Sequence, residues 1–340
     1  EEPSHGEIQK QWLRKLQTLV GLGSASIRAV SIMQLTGKVS DDNSKIPQFV
    51  ETGLKSLVTE VAFSLAAWRG DHWRASGSAV SVGNRLLITA KHVVEDYFDH
   101  VEERSVTLRG NVTGNFGIIA RQMLREGEEI ALWKARRLWL SPATDIAFVL
   151  VEPMSESAVS YARWRVPPLQ LVPPRAGDRV VAFGYHTPVV DVVSDGNLIT
   201  VHWDDHPTTS VGEVIEVYPT KRDSYLLNFP CFCTNSRFEG GMSGGPVFND
   251  SGEVCGLVCS SVSGGFEEGH ISYVASLWPA MATFIHTEVN GQRSENPVRA
   301  LELAQAGVIN ARGWERVTIV PGESDSQIQL EDPEANAVRR

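Results

Sequence analysis

From Val58 onward the chain is made of short runs of Val, Ile, Leu and Phe cut off by Gly, Asn, Asp and Pro. Among them are Glu60–Trp68, Ser78–Val82, Arg85–Thr89, Asp145–Val151, Arg179–Phe183, Gly212–Tyr218 and Glu253–Ser260. Runs of that length, bounded by turn formers, predict β-strands and together an all-β core. The two ends read differently. Ile8, Trp12, Leu13, Leu16, Leu19 and Val20 recur at helical spacing with polar residues between them, and Gly21 supplies a stop, so residues 7–20 predict an amphipathic helix. A second apolar segment, Ser24 to Gln34, gives way to the polar stretch Gly37 to Pro47, which reads as a linker. Near the end of the core Trp278, Met281, Phe284 and Ile285 share a helical spacing, and Val298 to Ala306 predicts a further helix stopped by Gly307. From Gly322 the chain carries five acidic side chains and no aromatic, too little apolar surface to offset ordering, and predicts a flexible tail. The expected organisation is an N-terminal helical extension and linker (1–47), a strand-rich domain (48–287), a C-terminal helical extension (288–321) and an acidic tail (322–340).

Composition narrows the function classes. Among 340 residues no run approaches the roughly 18 consecutive apolar residues of a membrane helix, so no span is expected. The balance of 31 Lys+Arg against 41 Asp+Glu, a net charge of -10, offers no phosphate-neutralising surface and argues against nucleic acid as a partner. Four cysteines are too few for a disulfide-dense secreted scaffold, and with no visible leader the expectation is a cytoplasmic protein. The chain opens on Glu1-Glu2-Pro3 rather than Met, which leaves a removed leader open. Cys231 and Cys233, two apart with no His at metal spacing, read as core thiols, and His202-Trp203-Asp204-Asp205-His206 reads as a polar hairpin tip; no metal and no cofactor is expected.

The densest chemical signal is Glu239-Gly240-Gly241-Met242-Ser243-Gly244-Gly245-Pro246, a glycine-rich turn feeding an apolar strand. Small residues around a serine let the backbone bend until N–H donors converge on one point, as an oxyanion requires; Gly241 and Ser243 are the candidate donors. Upstream, Arg85 to Val94 ends a β-run at His92, an imidazole whose ordinary titration near neutrality suits a general base. Between the two, Asp145 heads an apolar strand, where a carboxylate is costly unless hydrogen-bonded, and an imidazole N–H is the natural partner.

The order His, Asp, Ser, in Thr89-Ala90-Lys91-His92, Asp145-Ile146-Ala147 and Gly241-Met242-Ser243-Gly244-Gly245-Pro246, resembles the trypsin/chymotrypsin-like serine peptidases over roughly residues 58–287. Gly77-Ser78-Ala79-Val80, Gly177 to Tyr185 and Gly252 to Val258 resemble their bacterial-type branch, the high-temperature-requirement proteases. The resemblance implies two six-stranded antiparallel β-barrels packed at right angles, here with helical extensions at both ends. It implies a serine endopeptidase with Ser243 as nucleophile, His92 as proton carrier, Asp145 as orienting carboxylate, and the N–H groups of Gly241 and Ser243 as oxyanion hole. Protein or peptide is then the substrate. The alternatives are a latent enzyme activated by a regulatory protein through the N- or C-terminal extension, and an inert protease-like scaffold.

Two departures matter. Met242 stands where the digestive branch has the Asp that captures a cut N-terminus, so activation by N-terminal cleavage is not expected, and the stretch after residue 287 is short for the usual peptide-binding domain of the bacterial branch. The segments 96–142 and 187–231 are long, and are expected to hold extra hairpins or loops. For the substrate pocket, matching positions nominate Arg237, Phe238 and Glu239 on one wall and Cys259, Ser260 and Ser261 on the other, with Ser272 near the floor. An inward Arg237 would favour an acidic side chain.

Overall fold

A computed structural model describes residues 49–52, 57–69, 72–98, 116–124, 129–161, 164–195, 198–263, 270–286, 288–289, 292–293, 296–320 and 327–331. The expected N-terminal helices and linker lie outside them. The described chain opens with β1 (Phe49–Glu51) and the single turn α1 (Val58–Val61). Then follow β2 (Ala62–Arg69), β3 (His72–Gly83), β4 (Leu86–Ala90), α2 (Lys91–Phe98), β5 (Phe116–Leu124), β6 (Glu129–Leu140), β7 (Ile146–Pro153) and the short helix α3 (Glu156–Ser160). A second series comprises β8 (Leu169–Gln170), β9 (Arg179–Asp195), β10 (Leu198–Tyr218), β11 (Cys231–Thr234), β12 (Pro246–Asn249), β13 (Val254–Ser263) and β14 (His270–Ser276).

The first series closes into a six-stranded barrel in the order β2-β3-β4-β7-β6-β5, with β5 returning antiparallel to β2. In the second, β12-β9-β10-β11-β14-β13 closes because β12 also pairs β13. This is the two-barrel architecture that the resemblance implied. Period-two alternation explains why both barrels pack: on β4, Leu87 faces the first barrel's own core with Phe63, Leu65 and Trp133, while Leu86 and Ile88 turn to the opposite face. There they join Val80, Val82 and Phe148 against Phe183, Tyr185, Phe248 and Leu257 of the second barrel. β4 is therefore buried on every residue, and its sequence is correspondingly apolar on both faces. The second barrel's own core holds Val180, Ala182, Val214, Phe232, Met242, Val247, Cys255 and Val258.

Some elements depart from the pattern reading. Within 96–142, β5 and β6 are barrel walls rather than added loops; the buried Arg121, Gln122 and Arg137 interrupt their apolar alternation and hide them. The segment 187–231 does carry an added hairpin, the distal halves of β9 and β10, paired out to Leu198↔Asp195. His206 sits on that hairpin's strand opposite His186, not at its tip. The helix expected from Trp278 is a single 3-10 turn, Trp278–Ala282, because Thr283 turns extended and β15 (Phe284–Ile285) pairs with β18 (Val298–Arg299). Between them lies the small β16–β17 pair (Glu288–Val289 with Gln292–Arg293).

The expected helix from Val298 forms as α4 (Ala300–Gln305), and its Leu301, Leu303 and Ala304 enter the inter-barrel core. β19 (Ala311–Arg312) adds in parallel to β8, itself parallel to β13, so this segment is fastened to the second barrel. β20 (Val317–Val320) pairs with β21 (Gln327–Leu330), placing ordered strand inside the stretch read as a tail. All four cysteines are buried and free. No helix among the described residues is long and apolar enough to cross a membrane.

Candidate active site

Register brings the first two groups together. β4 and β7 pair antiparallel with Ala90 opposite Ile146, so the residues just beyond one strand end face those just before the other. Lys91 N–H donates to the Asp145 carbonyl at 3.1 Å, and His92, second residue of α2, donates its own N–H to Asp145 Oδ1 at 2.9 Å. The His92 ring meets Asp145 Oδ2 through Nδ1 at 2.7 Å. A third donor, the Cys259 thiol on β13, reaches the same Oδ2 at 3.1 Å.

Asp145 is 7% exposed. Burial alone would raise its pKa, but the hydrogen bonds from the His92 ring, the Cys259 thiol and the His92 N–H, with the imidazole's charge, hold it below the ordinary carboxylate value. An ionised acceptor fixes the neutral imidazole as the Nδ1–H tautomer and leaves the lone pair on Nε2. The Cys259 thiol is pushed well above its ordinary value, by burial first and by the charge and hydrogen bond of Asp145 next, so it stands as a protonated donor.

Ser243 lies in the turn between β11 and β12, pinned from both barrels. Its carbonyl accepts from Ser78 N–H of β3 at 2.8 Å, while Gly244 N–H donates to Val258 O of β13 at 2.7 Å. Gly244 (φ +82°) packs its α-carbon against the first barrel so closely that a Cβ would lie 2.3 Å from Ser78 O and 2.7 Å from Ala90 N. Ser243 Oγ lies 3.4 Å from the Cys259 carbonyl oxygen. Cys259 thus touches both halves of the site, the serine with its backbone and the carboxylate with its side chain.

The neighbouring carbonyls are held away. Gly240 O accepts from Thr187 N–H at 2.9 Å, and Gly241 O from Ser78 Oγ at 2.8 Å; Met242 O accepts from Gly245 N–H at 2.9 Å. A trans peptide points its C=O and N–H in opposite directions, so the N–H groups of Gly241 and Ser243 face away from these partners. Among the described residues neither donates a hydrogen bond. Gly241 (φ +93°) is required: a Cβ there would lie 2.4 Å from Pro188 and 2.6 Å from Tyr185 O. Thr187 itself is held at φ 42°, a strained conformation for a β-branched residue that its hydrogen bond to the Gly240 carbonyl helps maintain.

A cavity of about 520 Å³ opens beside His92, between Pro142, Ala143 and Thr144 on one side and Leu226 to Phe229 with Ser260 on the other. It lies on the histidine side of the site rather than over Ser243. The nominated pocket walls fare unevenly. Arg237 is already engaged: its Nε is 2.5 Å from Glu239 Oε1 and its guanidinium lies 4.6 Å over the Phe49 ring. Phe238 belongs to the second barrel's core, and its carbonyl accepts from Ser261 Oγ at 3.3 Å, which joins the two nominated walls. Ser260 is exposed on the cavity rim, while the Ser272 hydroxyl is fully buried with no hydrogen-bond partner among the described residues.

Sequence reasoning missed Ser78, whose hydroxyl accepts from Tyr185 N–H and donates to Gly241 O, and Thr187. It also missed the side-chain role of Cys259. Nothing local marks these residues, because their partners lie 100 or more positions away for Ser78 and Cys259.

The trypsin-like peptidase domain family matches residues 75–257, just over half the chain and spanning His92, Asp145 and Ser243. No curated protein matches. Among solved structures, the active form of the Rv3671c protease from M. tuberculosis is 15% identical over 64% of this chain and 77% of that one, with a TM-score of 0.39. The inactive form of the same protease gives 15% identity, 64% and 84% coverage and a TM-score of 0.38. By the extent of the family match and the motifs it encloses, this chain belongs to the trypsin-like peptidase domain family.

Proposed function

We propose that the protein is a serine endopeptidase acting through an acyl-enzyme. Ser243 Oγ attacks the scissile carbonyl as His92 Nε2 takes its proton; the imidazolium then gives that proton to the leaving amine, and water reverses the sequence to free the acid. Asp145 keeps the imidazole in the Nδ1–H tautomer and stabilises the imidazolium. The N–H groups of Gly241 and Ser243 receive the oxyanion, where losing one donor typically costs about 10²–10³ in turnover. The cavity beside His92 takes part of the polypeptide next to the scissile bond. The observation that carries this reading is the buried Asp145 carboxylate bonded to both the backbone and the ring of His92, while the two N–H groups flanking Met242 donate to nothing among the described residues.

Treatment with a fluorophosphonate, followed by mapping of the modified peptide, tests it. Labelling of Ser243 in the wild type and its loss in Ser243→Ala, at unchanged fold, is the expected result. Labelling only after a partner is added would mean a latent enzyme, and none under any condition an inert one.

A further inference from the structure

His92, Asp145 and Cys259 come from three separate elements, yet an imidazole nitrogen, a carboxylate oxygen and an Sγ lie within 4.8 Å of one another. Imidazole nitrogen, carboxylate and thiolate are the ligand types that Zn²⁺ and similar thiophilic ions select, whereas Mg²⁺ and Ca²⁺ favour oxygen alone. Bond lengths of about 2.0–2.3 Å to a tetrahedral ion set its ligand atoms about 3.3–3.7 Å apart. Here Oδ2 lies 2.7 Å from Nδ1 and 3.1 Å from Sγ, so side-chain rotations that spread the three by roughly half an ångström would admit an ion. The cavity beside His92 is lined by all three residues, giving an ion a path and a water molecule room as fourth ligand.

We propose that His92, Asp145 and Cys259 form a binding site for a thiophilic divalent cation of the Zn²⁺ class, and that its occupancy turns the active site off. The proton balance is definite. The thiol releases one proton to solvent, and the imidazole proton moves from Nδ1, now bound to the metal, to Nε2. One carboxylate and one thiolate neutralise the ion. With Nε2 protonated and neutral, the ring has no lone pair to accept the serine proton. The inhibitory half of the proposal rests on the peptidase reading; the binding site does not.

The two are separated by titrating Co²⁺ into the full chain carrying Ser243→Ala, under reducing conditions, and following thiolate-to-metal charge transfer in the near ultraviolet. The expected band saturates at one equivalent, is abolished by Zn²⁺, and is lost when Cys259→Ser is added. His92→Phe in place of Cys259→Ser, with the thiol intact, should weaken it as well. Cys231 and Cys233 remain in every variant, so a band of equal strength without Cys259 belongs to them and overturns the site, as does the absence of a saturating band. In the Ser243-containing protein, Zn²⁺ should slow fluorophosphonate labelling. Against its own metal-free rate, Cys259→Ser should need at least the roughly 10–100-fold more Zn²⁺ that losing even a supporting contact costs a metal site. Equal sensitivity of the two proteins overturns the inhibition. If Ser243 never labels, the peptidase reading falls while the Co²⁺ titration still decides the site.

Discussion

Replacing Gly244 with alanine presses on a place where the serine turn of the second barrel packs directly against β4 of the first. A Cβ there would lie 2.2 Å from Thr89 Oγ1, 2.3 Å from Ser78 O and 2.7 Å from Ala90 N. Two of these atoms are main chain inside a closed barrel and cannot swing aside, and the third, the buried Thr89 Oγ1, is held by its hydrogen bond to Ser78 O. At φ +82° an L-residue also incurs about 1–2 kcal/mol of left-handed strain, and over-packing a filled site adds about 1–3 kcal/mol. The sum, about 2–5 kcal/mol, is a large part of the 5–15 kcal/mol that holds an ordinary domain together. Urea unfolding should show a midpoint lower by the order of 1 M. The cheapest relief is for the turn to back away from β4, which carries Ser243 away from His92, and a shift of about 1 Å in a reacting group can cost about 10² in rate. Fluorophosphonate labelling of the folded variant should fall accordingly. The control is Gly240→Ala, four positions upstream in the same turn, whose Cβ would meet nothing within 4 Å and which should stay within about 0.5 kcal/mol of wild type. A Gly244→Ala protein as stable and as readily labelled as Gly240→Ala would refute the packing argument.

Asp145→Asn should lower turnover by about 10⁴-fold in protein that is still folded at neutral pH, since an amide no longer enforces the Nδ1–H tautomer; a loss under tenfold in a peptide assay would disprove the orienting role. The depressed Asp145 pKa implies stability that is fully present above the unfolded carboxyl's value and is lost as pH falls through the lower folded value, so acid unfolding curves should show a limb that Asp145→Asn flattens. Turnover should rise as pH passes upward through the imidazole's titration, because only the neutral ring accepts the serine proton; a profile flat from weakly acidic to neutral pH counts against His92 as base. Arg237→Ala should leave the ratio of rates on acidic and apolar peptides unchanged, and should cost no more than about 1 kcal/mol of stability, as befits an exposed pair with Glu239. A collapse of acidic-peptide cleavage would show that the arginine turns inward on substrate.

Strand character and the three candidate residues were legible along the chain, because each depends on neighbours a few positions away, whereas the two barrels were implied only by the family resemblance. Continuous apolar runs such as Leu86–Ala90 declare a strand buried on two faces, and glycines around Ser243 declare a tight turn. β5 and β6 were not legible, since Arg121, Gln122 and Arg137 are buried by partners that only the closed barrel supplies; Gln122, for one, accepts from Trp133 Nε1 and donates to the Glu60 carbonyl. Arg237 looked available for substrate until β1 brought Phe49 under its guanidinium. The site divides the same way. Which residues are candidates for chemistry is a local matter of residue type and turn propensity, and the sequence by itself nominated them. How Cys259 comes to donate to Asp145 across 114 positions, and Ser78 to fasten Gly241 across 163, was decided only by the tertiary structure, because hydrogen bonds act over about 3 Å of space and are indifferent to separation along the chain.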